Sequence, residues 1–404
     1  MAAPFAARLA EVASGLVATR DLWHPRPFAE REVAWASIAP EVAVWLDARP
    51  DEEFDLTRFG PADLSAAPPA LRAWRATADA LGHLPDLPRR PFALQARAAR
   101  GIGGHKRAQI EAFVGCVLAG EPAVSARETH VLDWCAGKGH LGRSLAAALQ
   151  QPLTAVEWDA ALCETGRSLA REAGVDAAFH TLDARSPEAA AMVGIGAAAV
   201  SLHACGDLHG ALLRAATAND VSRLAVAPCC YNRTPPGTPV LLSAAAHAAG
   251  LGLDEDDLDL VHRLPTSGGA AERQRVRRTL AWRLGVDLWH RDVSGVDAYR
   301  RMPSFPGEWL ALDFAAFAVR FAALGGLEHI PGREIGAYEA AGHARLRDVL
   351  RREAVRLPFA RALEVYLLLD RAAFLEAAGF EVRLGAFCTV AETPRNGLLL
   401  ARRG

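Results

Sequence analysis

Between Gly101 and Asn232, short runs rich in β-branched and aromatic residues alternate with Ala/Leu-rich stretches of helical spacing. In order they are "HVLDW", "LGRSLAAALQ", "LTAVEW", "AALCETGRSLAREAG", "AAFHTLD", "AAAVSLHA", "DLHGALLRAAT" and "RLAVAPCC". Strand and helix alternating at this length predict a parallel sheet with helices on both faces. The tail "DRAAFLEAAGFEVRLGAFCTVAETPRNGLLLARR" runs helix, strand, turn, strand, and its two strands are expected to rejoin the sheet. The expected fold is therefore α/β and doubly wound, a seven-stranded, mostly parallel sheet with residues 101–234 as its core and 359–404 completing it. Residues 1–100, helically spaced and punctuated by proline, predict a helical N-terminal domain, and 235–358 a mostly helical insertion.

With 404 residues, 51% hydrophobic and 23% charged, the chain has enough apolar material for two or three cores, and disorder is not expected. A net charge of −2 argues against a uniformly basic nucleic-acid coat while leaving room for a local arginine patch. The Ala-rich runs are broken by Arg, Asp and Glu, so no membrane span is expected. The start "MAAPFAARLAEVASGL" reads as a surface helix, because Arg8 and Glu11 interrupt any signal-peptide core. Seven cysteines without regular spacing do not resemble a disulfide framework, and a reducing cytoplasm is the expected location. Nothing in the sequence speaks to oligomeric state.

"HVLDW" runs into "CAGKGHLG", Cys135 to Gly142, where Gly137 and Gly139 let the backbone approach a ligand that a Cβ would block. Taken literally, Gly137, Gly139 and Gly142 satisfy a dinucleotide pattern, which makes an NAD-linked oxidoreductase the alternative. Asp133 at the strand end points elsewhere. A carboxylate is repelled by a pyrophosphate, whereas the α-ammonium and sulfonium of S-adenosylmethionine attract it. Glu157 is then placed for ribose hydroxyls and Asp183, in "HTLDAR", for the adenine amino group, so acids end three successive strands around one crevice. Each of these acids also has a plain structural account, as a cap for the helix that follows. The expected cofactor is S-adenosylmethionine, held by Asp133, Cys135, Ala136, Gly137, Lys138, Gly139, His140, Leu141, Glu157, Trp158, Asp183, Ala184 and His203.

Of 45 basic residues only two, Lys106 and Lys138, are lysine. A chain so enriched in arginine is expected to keep a compact ammonium where the planar guanidinium fork does not fit. Both lysines fall in or beside the loop segment. Lys138 is expected to fix the loop or face an acceptor. Lys106 is expected either to reach a phosphate or the cofactor carboxylate, or to decorate a helix.

"DWCAGKGHLG" (Asp133–Gly142), "LHACGDLHGALL" (Leu202–Leu213), "APCCYN" (Ala227–Asn232) and "TPRNGLLLAR" (Thr393–Arg402) together resemble the S-adenosylmethionine-dependent methyltransferase-domain family. That family takes in the methyltransferase-like protein 25 group and, more distantly, the tRNA:m4X-modifying ribose 2′-O-methyltransferases. "GGHKRAQIEAF" before the first strand joins the resemblance, although its His105 precedes Lys106 where relatives carry His-Glu after a lysine-rich stretch. The resemblance covers the middle third and the tail. It implies a class I (Rossmann-like) methyltransferase fold, and it implies Cys135 where the general cofactor loop has its first glycine.

In the strand order implied by the resemblance the first, fourth and fifth strands lie side by side. Cys135, His203, Cys205, Asp207, Cys229, Cys230 and Tyr231 should then converge on one rim. Three chemistries stay open there. His203 or Asp207 could orient or deprotonate an acceptor while Tyr231 stacks on it. Cys229 could add to a pyrimidine before methylation at carbon. Cys and His could hold a soft metal, but no CxxC spacing is present and no metal is predicted. Packing beneath the cofactor is the bland account for Cys135, Cys163 and Cys388. "ERQRVRRTLAWR" and Arg345, Arg347, Arg351, Arg352 and Arg356 could hold a phosphate backbone, or could equally be solvated helix faces. RNA is the expected acceptor through the distant family link, with a ribose 2′-hydroxyl implied. A protein acceptor and a non-catalytic cofactor-binding module are the alternatives.

Overall fold

The structure is a computed structural model that describes residues 4–54, 60–95, 97, 99–120, 129–194, 196–219, 221–235, 237–263, 269–327 and 335–403. Contacts divide the chain into two compact units: Met1–Ala18, Leu81–Leu264 and Ala360–Gly404 form the first, Thr19–Ala80 and Pro265–Phe359 the second. These boundaries differ from breaks at 100, 234 and 358. The first helix, Pro4–Ala18, turns Leu9, Val12 and Leu16 into the first unit, where Glu376 also accepts the Phe5 amide at 3.2 Å. An amphipathic stripe read from sequence shows that a helix packs, without naming the core it packs on.

The first unit is built on seven strands, β1 (His130–Trp134), β2 (Leu153–Glu157), β3 (Ala177–Thr181), β4 (Ala197–Leu202), β5 (Arg223–Ala227), β6 (Phe380–Ala386) and β7 (Gly397–Arg403). Their order across the sheet is β3-β2-β1-β4-β5-β7-β6, parallel from β3 through β5, with β7 antiparallel to both β5 and β6. The side-chain period of two sorts the strands onto two cores. Val131, Leu153, Ala155, Val200 and Ala225 face one side, with Phe113, Leu141, Leu145 and Cys163 from the covering helices. Leu132, Trp134, Val156, Ala199, Leu224 and Val226 face the other, with Leu212, Ala216 and Leu375. Strands buried on both faces read as nearly continuous apolar runs, which is how "RLAVA" and "AAAVSL" appear.

The second unit is helical, with Ala270–Ser294, Phe314–Leu324 and Ala337–Arg356 among its helices and Trp282, Phe314, Phe317 and Phe321 in its core. Its arginines are engaged internally. Arg352 makes a two-pronged pair with Asp47 (2.6 and 2.9 Å), Arg351 bonds Asp51 at 2.7 Å, and Arg356 donates to the Trp23 carbonyl at 2.8 Å. Arg345 donates to the carbonyls of Pro27 and Glu30 at 2.6 and 2.5 Å. In "ERQRVRRTLAWR", Arg275 pairs with Glu272 at 2.6 Å, while Arg277, Arg278 and Arg283 donate to the carbonyls of Phe54, Leu310 and Met302. The expected phosphate-binding rows are thus largely clamps that hold the N-terminal segment of this unit, and the second unit offers little support for a polyanion site. Among the described residues no helix is long and apolar enough to cross a membrane.

Candidate active site

A cleft of about 360 Å³ opens at the carboxyl ends of the strands, lined among others by Cys135, Glu157, Trp158, Asp183, Cys205, Asp207 and Arg233. It lies where strand order reverses between β1 and β4, the place in an open parallel sheet where ligands bind. Its volume falls in the range of small-molecule sites, roughly 300–1,000 Å³.

The loop after β1 is shaped from both sides. Cys135 takes a left-handed φ of 57°, uncommon for a residue with a Cβ, and Gly137 and Gly139 follow at 56° and 65°. Glu157 Oε2 accepts the Gly137 amide at 2.8 Å and its Oε1 accepts the Asp159 amide at 3.1 Å, so the acid at the end of β2 holds the loop and still lines the cleft. Asp133 does not line it. Only 2% exposed, it sits beneath the loop, and its Oδ2 accepts the Gly142 amide at 2.8 Å. A Cβ on Gly142 would stand 2.6 Å from that of Asp133, so the pair requires glycine. Burial pushes the Asp133 carboxyl up to about 7, against the pull of the Gly142 amide and the Lys106 ammonium.

The other expected cofactor residues divide into floor, wall and rim. Leu141 and His140 are buried at the start of the following helix, where Arg143 donates to His140 Nδ1 at 3.0 Å and burial lowers the imidazole to about 4. Ala136 is half-buried, its amide bonded to the Val156 carbonyl at 3.0 Å. Ala184 lines the wall. Trp158 stands 79% exposed on the rim. Asp183 is occupied by Arg185, which pairs with it at 2.8 Å and holds its carboxyl below the ordinary range. Lys138 is exposed outside the cleft lining. Lys106, exposed on the first turn of Gly104–Ala119, lies close enough to influence Asp133, His140 and His203 electrostatically.

The residues after β4 and β5 are stitched together. Gly206 donates to the Cys230 carbonyl at 2.6 Å and His203 to the Ala227 carbonyl at 3.0 Å. A Cβ on Gly206, whose φ is +58°, would stand 2.1 Å from the Arg233 carbonyl oxygen. His203 shares the left-handed conformation of Cys135, at φ 65°. Gln109 Nε2 donates to the Glu392 carbonyl at 3.0 Å, which turns its Oε1 to His203 Nε2 at 2.9 Å. His203 therefore carries its proton on Nε2 and its lone pair on Nδ1. Burial holds its ring near 4, hence neutral at physiological pH. Asp207 opens the next helix and accepts from Arg214 at 2.6 Å.

Tyr231 departs from expectation. It is 1% exposed, with the Arg371 guanidinium 4.9 Å from its ring centroid and His209 edge-on at 5.5 Å, and it cannot stack on an acceptor as positioned. Neither a side chain's direction nor its cover is visible in "PCCY". Cys229 also differs from an activated nucleophile: hydrogen bonding with the Cys205 and Cys230 thiols, and then burial, raise it well above an ordinary cysteine. Hydrogen bonds from the other two thiols and from His262 bias Cys230 the opposite way, toward thiolate. All seven cysteines are free. Gln109, Arg185, Arg233 and His262 were not singled out from sequence; only the position of Arg233 just beyond "PCCYN" and of Arg185 beside Asp183 carried any signal.

Residues 105–235 match the family model described as a methyltransferase domain. A fibrillarin/Nop5p complex is a similar solved structure, 19% identical with a TM-score of 0.25, the match covering 32% of this chain and 62% of that one, less than two thirds of its length. No curated protein matches the chain. S-adenosylmethionine is the usual methyl donor of such domains, and the oxidoreductase alternative falls away. With its strand order, its crevice at the switch point and its matched domain, the chain has a class I α/β fold that carries a methyltransferase domain at residues 105–235.

Proposed function

We propose that the cleft between Cys135 and Asp207 takes S-adenosylmethionine and that the acceptor is RNA, entering beside Cys205, Asp207 and Arg233. The observation that carries the cofactor assignment is the meeting of Glu157, Trp158 and Asp183 with the positive-φ loop in one cleft at the switch point. Glu157, its oxygens each accepting one amide, keeps lone pairs for ribose hydroxyls. Trp158, Leu182 and Ala184 offer apolar surface to adenine, and Asp183 an acceptor to its amino group. Lys106 is suited to the cofactor carboxylate. Lys138 keeps the loop positive, while Asp133 acts from beneath through Gly142 as a positioning residue.

When bound, S-adenosylmethionine supplies a methyl already activated on a sulfonium, so the protein's task is in-line placement of the acceptor. His203 Nδ1, neutral and oriented by Gln109, is the atom available to take a proton from a hydroxyl. Arg233, which no ion pair among the described residues engages, supports the RNA acceptor as a partner for a phosphate at the cleft.

The test is transfer of labelled methyl from S-adenosylmethionine to RNA and protein fractions of cells lacking the gene. Label in an RNA band is expected. Label confined to protein would replace RNA with a protein acceptor, and label in neither would leave a small-molecule acceptor.

A further inference from the structure

Three thiols meet where β4 and β5 end. Cys205 comes from the loop after β4, Cys229 and Cys230 from the loop after β5, and their sulfurs all lie within 4.8 Å of one another. Cys205 Sγ and Cys229 Sγ are 3.3 Å apart. Cys229 and Cys230 are 4% and 8% exposed. His262, the last residue of the helix Glu255–His262, lies near Cys230 and draws it toward thiolate. Arg395 donates to His262 Nδ1 at 3.0 Å and to its carbonyl at 2.7 Å, so the neutral ring carries its proton on Nε2 and serves as a donor, not a metal ligand.

We propose that Cys205, Cys229 and Cys230 form a zinc site. Three thiolates are a zinc-binding set that leaves a fourth position for a water or another exogenous ligand, and zinc–sulfur bonds of about 2.3 Å place tetrahedral sulfurs roughly 3.8 Å apart. Cys205 Sγ and Cys229 Sγ stand 3.3 Å apart and Cys230 Sγ lies within 4.8 Å of both, so closing the site asks for side-chain adjustment and no rearrangement of the strands. Soft ligands select zinc over magnesium or calcium. The ion joins the β4 loop to the β5 loop beside the cleft, whose wall Cys205 shares. His262 stays outside the coordination sphere, its Nδ1 taken by Arg395 and its Nε2 proton available to the Cys230 thiolate. Ligands at 205, 229 and 230 contain no CxxC spacing, which is why the sequence does not announce the site.

The full chain, purified under reducing conditions without chelator, is expected to carry about one zinc per molecule by elemental analysis. Replacing the zinc with Co²⁺ should give thiolate-to-cobalt charge-transfer absorption and the intense visible bands of a tetrahedral site. Cys230→Ser should lose most of the metal, while Cys388→Ser, buried elsewhere, should keep it. If Cys230→Ser does not fold, the wild-type chain still decides: zinc should shield Cys205, Cys229 and Cys230, mapped by mass, from alkylation. A wild-type chain that takes up neither Zn²⁺ nor Co²⁺, a metal that survives Cys230→Ser undiminished, or a Cys205–Cys229 disulfide that persists under reductant in place of the metal would each overturn the proposal.

Discussion

Asp133 shows how one side chain can serve a site it does not line. β1 lies between β2 and β4, with Asp133 level with Ala155 on one side and Val200 on the other, so its carboxyl is taken wholly from water. The Gly142 amide compensates for one oxygen only. With the carboxyl near 7 in the folded chain and near 3.9 when unfolded, the native state holds a proton between those values that the unfolded state has lost. Stability from this group therefore falls as pH rises from about 4 to about 7 and stays reduced above, by a few kcal/mol at most. Asp133→Asn keeps an oxygen for the Gly142 amide and removes the titration. Its melting temperature relative to wild type should be higher at pH 8 than at pH 5. An equal difference at both pH values would show that ionising Asp133 is not costly.

At the scale of elements, the paired loops after β4 and β5 act as one piece. Gly206→Ala must drive its methyl into the Arg233 carbonyl and also strain a left-handed φ, a cost of about 1–3 kcal/mol for the strain alone. Gly237→Ala is the matched control, since its φ is +81° with nothing within 4 Å of the added carbon. Gly206→Ala is expected to lower the melting temperature several degrees more than Gly237→Ala and to weaken S-adenosylmethionine binding at least tenfold by calorimetry. Equal behaviour would show that the loops move independently. The elements themselves were legible: "HVLDW", "LTAVE" and "RLAVA" carry the apolar runs of buried strands, and the strand-end acids and glycines marked the crevice. Side-chain direction was not. Left-handed φ values at Cys135 and His203 turn the chain in ways that residue type does not encode, and Tyr231 is hidden by Arg371, 140 positions further along. The arginine rows were ambiguous for the same reason, because helical spacing cannot reveal that Arg352 finds Asp47, which stands 305 residues earlier in the chain.

For the whole molecule, charge accounting sets a limit on how RNA can be held. Sequence alone offers two basic helices. The structure commits their arginines to Asp47, Asp51, Glu272 and a series of backbone carbonyls. With Lys106 given to the cofactor carboxylate, the cations left at or near the cleft among the described residues are Arg233 and Lys138. Each phosphate neutralised on a single strand lowers the slope of log affinity against log salt by about 0.7. Two contacts predict a slope of about −1.4, shallow for an RNA-binding protein, with specificity resting on the acceptor nucleotide instead of a long backbone track. Fluorescence anisotropy of a labelled acceptor RNA across a potassium chloride series measures this directly, and Arg233→Gln should bring the slope closer to zero by about 0.7. A slope of −5 would require about seven contacts, and if Arg352→Gln then flattened it, the polyanion would belong on the second unit and its internal clamps would have to open to receive it.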